Sequence, residues 1–173
     1  MTKQPLSDAA ARQCSMNDLP EACQRVADVA LALGLNVEIQ VLAQSSRTAD
    51  EAAIACECSV GQIVKSLVFR GAASEKPYLL LVSGANRVDE AGVASTIGET
   101  LIRPDARFVR EVTGFAIGGI PPFGHARPLA TYIDRDLLRH STVFAAAGTP
   151  NSIFSVDPMR LADATNATTI VVA

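Results

Sequence analysis

Ile63-Val64-Lys65-Ser66-Leu67-Val68-Phe69 ends at Gly71, and after a Gly/Ser/Pro connection Tyr78-Leu79-Leu80-Leu81-Val82 repeats the same apolar character. Two such runs bounded by turn residues predict a pair of central strands. Upstream, Thr48 and Glu51 have capping-box spacing and open a short alanine-rich helix through about Cys56. Before it, Val37, Ile39 and Val41 alternate with Glu38 and Gln40, the period of a half-buried strand. Val26, Val29, Ala30 and Leu33 recur at helical spacing behind Asp18-Leu19-Pro20-Glu21, where Asp can cap and Pro is tolerated, and Gly34 stands at the far end. Downstream, Asp89 to Ile97 and Pro104 to Val112 predict helices, the second opening on its proline. Residues 129–133, 142–146, 152–154 and 169–172 read as strands and residues 158–164 as a helix. The mixture is α+β. No repeat or linker divides it, so the expectation is a loosely ordered lead-in over 1–17 and a single domain over 18–173.

At 173 residues the chain can bury most of its apolar surface in one core. Apolar residues make up 49% and charged residues 19%, which excludes a disordered composition. A formal charge of −3 argues against wrapping a nucleic-acid backbone, which needs a broad basic surface, while leaving room for a small basic site. No apolar stretch approaches the roughly 20 residues of a membrane span, and residues 1–13 lack the pattern of a secretory leader, so a cytoplasmic protein is expected. Reduced thiols are expected for Cys14, Cys23, Cys56 and Cys58; the C-x-C pair lacks the further ligands of a zinc site.

Chemistry concentrates in two places. Gly118-Gly119-Ile120-Pro121-Pro122-Phe123-Gly124-His125 forbids regular structure and lets backbone amides approach a ligand, although a plain surface turn accounts equally well for its composition. Lys65 interrupts an apolar strand and shares a face with Ile63 and Leu67. Its ammonium either meets a phosphate or carboxylate in a pocket or reaches water along its own stem, and the residues alone favour the second. His125 follows the loop and could contact a ligand or act as acid or base; His140 lies in a charged, solvated stretch. Ser83-Gly84 lacks a nucleophile elbow, and Asp134 and Asp136 read as solvated or alternately facing carboxylates rather than an acid/base pair.

Taken together, Gln62–Phe69, Leu81-Val82-Ser83-Gly84-Ala85-Asn86-Arg87-Val88-Asp89, Gly118–Gly124 and Ala147-Gly148-Thr149-Pro150-Asn151-Ser152-Ile153-Phe154 resemble the YbaK/EbsC family in order and spacing, from about residue 20 to the end. The resemblance implies a mixed, largely antiparallel curved β-sheet or barrel surrounded by helices, similar to the editing domain of bacterial prolyl-tRNA synthetases. It implies a trans-acting deacylase of mischarged tRNA that needs no cofactor or metal. Lys65 then matches the family lysine associated with the phosphate and terminal adenosine of the tRNA 3′ end. Gly118-x-x-x-Pro122 matches the loop around the aminoacyl group, with Gly118 and Gly119 as catalytic amide donors and Ile120, Pro121, Pro122, Phe123, Gly124 and His125 as substrate contacts. Within the family, Ile120-Pro121-Pro122 and His125 look more like prolyl-tRNA editing relatives than the cysteine-removing type. That points to alanine or 2-aminobutyrate on the tRNA for proline. Prolyl-tRNA synthetase or an elongation factor could deliver the substrate, though no sequence feature marks a surface for either or an oligomeric state. The competing expectations are a noncatalytic module of the same fold that binds a nucleotide or the tRNA end, and a small-molecule hydrolase that cleaves another activated ester without needing the tRNA body.

Overall fold

The computed structural model describes residues 11–13 and 18–173. In chain order it contains β1 (Ala11–Gln13), α1 (Glu21–Ala32), β2 (Ile39–Leu42), α2 (Ala49–Cys56), β3 (Val64–Gly71), β4 (Pro77–Ser83), α3 (Glu90–Ile97), β5 (Leu101–Ile102), α4 (Ala106–Thr113), β6 (Ala130–Asp134), β7 (Val143–Ala146), β8 (Ser152–Val156), α5 (Pro158–Thr165) and β9 (Thr168–Ile170). Short 3-10 turns occupy Val60–Gln62 and Arg135–Arg139. Of the expected lead-in, residues 1–10 and 14–17 lie outside the described residues, and Ala11–Gln13 pairs with β2.

The two apolar runs form the antiparallel β3–β4 pair at the centre of a five-stranded sheet ordered β5-β3-β4-β6-β9. β4 is apolar from Tyr78 to Val82 because both of its faces are covered. Leu79 and Leu81 join the larger core with α1, α4, α5 and the second sheet, while Tyr78, Leu80 and Val82 join a smaller core with Val93 of α3. The second sheet, ordered β1-β2-β8-β7, is antiparallel throughout. The expected α+β class and predominance of antiparallel pairing hold, with β4–β6 and β6–β9 the parallel pairs. Where a curved sheet or barrel was expected, the strands form two sheets that do not close into a barrel. They meet at one parallel bridge, Ile63 with Phe144. Beyond it β3 turns its outer edge to β5 only at Arg70 and Gly71. A loop, not a strand, borders the intervening stretch, which prevents closure.

Local chemistry explains most element ends. Thr48 accepts the Glu51 N–H at 3.1 Å, and Glu51 Oε2 accepts the Arg47 N–H at 2.7 Å, so the capping residues fix the start of α2. Asp89, Asp105 and Asp157 cap α3, α4 and α5. Two expected starts shift. Pro20, not Asp18, stands at the N-cap of α1, and Pro104 precedes the Asp105 cap rather than entering the first turn of α4.

Candidate functional site

Where the two sheets part, a cleft of about 380 Å³ opens along the unpaired edge of β3. Its walls come from β3 at Val64–Leu67, the start of α2, residues 117–120, β7 and the turn before β8. The volume suits a small ligand or the end of a larger one. A more open groove of about 940 Å³ runs beside it past residues 42–57 and shares Ser46 and Arg47 with it. That groove offers Glu51 and Glu57 against the single cation Arg47, a poor track for phosphates, so we place the chemistry in the smaller cleft.

The seam is pinned at its closed end. Gln62 donates from Nε2 to the Thr142 carbonyl at 3.0 Å, and its Oε1 accepts the Ser59 N–H at 3.1 Å. The opposite wall is a tight turn before β8. Ser152, 1% exposed, accepts the Thr149 N–H at 3.1 Å, and Thr149 Oγ1 donates to Ser152 Oγ at 2.7 Å. This turn also accepts the Ser46 N–H on the Pro150 carbonyl at 3.2 Å, coupling the rim of the cleft to the approach to α2.

Lys65 lines the cleft and donates from Nζ to the Asn86 carbonyl at 2.5 Å. Burial pulls its pKa below the ordinary lysine value, and the Asp134 carboxylate opposes that shift. An ammonium has three donors, so the bond to Asn86 leaves two for a ligand. Behind it lies a polar network that the sequence reading missed. Asp134 is 1% exposed and accepts the Ser83 N–H at 3.1 Å and Asn86 Nδ2 at 2.8 Å; Asn86 Nδ2 also reaches Asp136 Oδ2 at 2.8 Å. The solvated reading of Asp134 is therefore corrected: the end of β6 turns it inward against the loop after β4. The only hint in the sequence is an acidic residue closing an apolar strand. Ser83, the rejected nucleophile, is buried and donates to the Gly61 carbonyl at 2.8 Å.

The glycine-rich loop divides into two parts. Gly118 and Ile120 line the cleft with Lys65. Gly118 has φ +98° and precedes Gly119, whose N–H donates to the Ala116 carbonyl at 3.1 Å, closing a turn that needs positive φ at its third residue. The Gly119 amide, expected as an oxyanion donor, is engaged by the Ala116 carbonyl in this turn. Among the described residues, the Gly118 and Ile120 amides have no acceptor. Pro121, Pro122, Phe123, Gly124 and His125 lie behind the wall rather than on it. Phe123 packs on Phe154 with ring centroids 5.6 Å apart, Gly124 at φ +80° lies against Val29, and His125 Nε2 meets the Pro121 carbonyl at 2.7 Å. Burial lowers the His125 pKa, the Pro121 carbonyl opposes this, and Arg25 lowers it further.

The structure is an α+β chain with Lys65 and the Gly118 turn lining one inter-sheet cleft. Residues 43–164 match the aminoacyl-tRNA editing domain family, the YbaK family, and the chain belongs to it. It is 35% identical over 119 residues to the uncharacterized protein YwhH of Bacillus subtilis (strain 168), covering 69% of this chain and 75% of that one. It is similar to the crystal structure of a candidate trans-editing enzyme for prolyl-tRNA synthetase, at 43% identity and TM-score 0.85, covering 90% and 98% of the two chains. The hypothetical protein APE2540 is 28% identical with TM-score 0.79, covering 86% and 98%. Among the described residues no helix is long and apolar enough to cross a membrane.

Proposed function

We propose that this chain is a trans-acting deacylase that hydrolyses the ester of mischarged tRNA, with alanine or 2-aminobutyrate on the tRNA for proline as substrate. The observation that carries the reading is the meeting of Lys65 with Gly118 and Ile120 in one 380 Å³ cleft within the editing-domain segment. The similarity to the candidate prolyl trans-editing enzyme supports the choice of tRNA.

The cleft lining holds no histidine, cysteine or carboxylate, which suits an ester that is already activated and needs positioning more than a protein nucleophile. In this reading the free N–H groups of Lys65 grip a phosphate or ribose oxygen of the terminal adenosine. A water oxygen attacks the ester carbonyl carbon, and the amide of Gly118 receives the developing oxyanion. The bond to the ribose oxygen then breaks and that oxygen takes up a proton, releasing free amino acid and an intact tRNA end. Ile63, Ile120 and Phe144 offer apolar surface to a short side chain. One methylene changes binding in such a pocket by about 1–3 kcal/mol, enough to separate small amino acids modestly.

The test is deacylation by purified protein of Ala-, 2-aminobutyryl-, Cys-, Ser- and Pro-tRNA for proline, with Lys65→Ala alongside. Selective release of alanine or 2-aminobutyrate is expected. Loss of a charge-assisted hydrogen bond should lower kcat/KM about 10- to 100-fold in the variant. Absence of release from every substrate would refute the deacylase and favour a module that only binds the tRNA end.

A further inference from the structure

Lys65 has a long, flexible stem, and a cation that must meet one oxygen of a substrate needs an external reference. The structure supplies one. Its Nζ donates to the Asn86 carbonyl, and Asn86 is the last residue of a turn closed by its own N–H on the Ser83 carbonyl at 3.0 Å. The side-chain amide of Asn86 is in turn held by Asp134 Oδ2 and Asp136 Oδ2, each at 2.8 Å. We propose, resting on the deacylase reading above, that Asp134 acting through Asn86 is the positioning residue for the Lys65 ammonium.

The plainer account is that Asp134 only caps the turn Arg135–Arg139, and its Oδ1 does accept the Asp136 N–H at 2.9 Å. That cap does not require the other oxygen. Oδ2 takes the Ser83 N–H and the Asn86 amide, the two ends of the turn that carries the acceptor of Lys65. A well-packed apolar residue serves stability at least as well as a buried carboxylate. An Asp that is 1% exposed, with both oxygens bonded and no ion pair among the described residues, therefore calls for a reason beyond packing.

The electrostatics agree with the geometry. Charged and titratable groups on the surrounding elements include Arg47 before α2, Asp50 and Glu51 in its first turn, Arg87 beside Asn86, Asp134 at the end of β6, and Arg135, Asp136, Arg139 and His140 on and just after the following turn. Of these, Asp134 is the one whose charge favours the protonated lysine, against the burial that disfavours it. Replacing it with a neutral side chain should both loosen the acceptor and let the ammonium lose its proton at lower pH.

The experiment compares full-length wild type, Asp134→Asn and Asn86→Ala, each checked for a cooperative melt. Lys65 is labelled by competitive acetylation across pH and read by peptide mass spectrometry, and deacylation is measured in parallel. In Asp134→Asn the half-labelling pH of Lys65 should move down, the effect of losing an opposite charge that favours the protonated lysine. Asn86→Ala keeps the main-chain carbonyl and Asp134, so it should raise KM with kcat little changed, because Lys65 would bind substrate and transition state alike. An unchanged Lys65 labelling profile in Asp134→Asn, with unchanged KM in Asn86→Ala, would overturn the proposal. Should Asp134→Asn fail to fold, Asn86→Ala decides alone through KM and the limiting labelling rate of Lys65, which loosening should raise. If labelling moves as expected while the wild type releases no amino acid, positioning stands and the deacylase reading falls.

Discussion

Gly119→Ala tests whether the loop wall does catalysis. An added Cβ would stand 2.8 Å from the Thr149 Cα and carbonyl carbon and 2.9 Å from its nitrogen, whereas ordinary contact begins at 3.4 Å. All three neighbours are backbone, so no side-chain rotation relieves the overlap. The two loops must part by about 0.6 Å, well up the repulsive wall of the contact potential. Thr149 is tied to Ser152, and Gly148 lies with an added Cβ only 2.9 Å from the Ala22 carbonyl oxygen, so the side free to move is the turn carrying Gly118. A misplacement of about 1 Å at a reacting centre costs on the order of 100-fold, so kcat should fall about 10- to 100-fold. Overpacking should cost about 1–3 kcal/mol. For a chain of this length that lowers Tm by about 2–12 °C, leaving a folded enzyme to assay.

The control is Gly34→Ala, at φ +76° with nothing within 4 Å of the new Cβ. It places an L side chain in the left-handed region far from the cleft, at about 1–2 kcal/mol. Deacylation by both variants is followed under single turnover at a temperature well below either melt. The expected pattern is a Tm loss in both and a rate loss in Gly119→Ala alone. Wild-type kcat in folded Gly119→Ala would refute the placement of the catalytic wall at this loop.

Two pH effects follow from the cited groups. Burial depresses the pKa of His125 in the folded chain, so the unfolded chain binds the proton more readily; stability should be full above about pH 6.5 and fall as pH drops through the folded value. His125→Gln should flatten that part of the calorimetric Tm profile, and an unchanged slope would show that another group titrates there. Glu99 is held down to about 2 by the Ser74 hydroxyl, then by Tyr78 and the Ser74 amide. Its contribution is present above the normal carboxylate range and lost as pH falls toward 2, so Glu99→Gln should lose the acid-dependent part of Tm between about pH 4.5 and 2. A wild-type slope in the variant would refute the assignment.

The elements legible in the sequence were those whose signal is local. The Thr48 cap, the stop at Gly34 and the apolar β4 run depend on a few adjacent residues and appear where expected. The division into two sheets was not legible, because it turns on β3 leaving β7 after Ile63–Phe144, a pairing across 81 positions of chain. Lys65 and Gly118 were legible as residues out of place in their surroundings, a charge in an apolar strand and a glycine cluster. Asp134 was not, since inward burial depends on Ser83 and Asn86, which are 51 and 48 residues away. Pro121 to His125 fall outside the cleft lining for a related reason: glycine and proline report a constrained path, not which side of that path faces a cleft.

That distinction bears on how selectivity can change in this fold. The lysine and its Asn86 acceptor belong to the five-stranded sheet and the loop after β4, whereas Phe144, Pro150 and Ile153 reach the cleft from the other sheet. In the proposed reading, substitutions on the second wall would reshape the space for the amino-acid side chain without disturbing Lys65, because few bonds cross the seam beyond the Ile63–Phe144 bridge and the Gln62 contact. Phe144→Ala should therefore widen the range of aminoacyl groups released while leaving KM for the preferred tRNA within a few-fold. Deacylation across the five charged tRNAs reads this directly. A rise in KM common to all five, with the order of preference preserved, would show that the two walls act as one unit and that selectivity is set elsewhere.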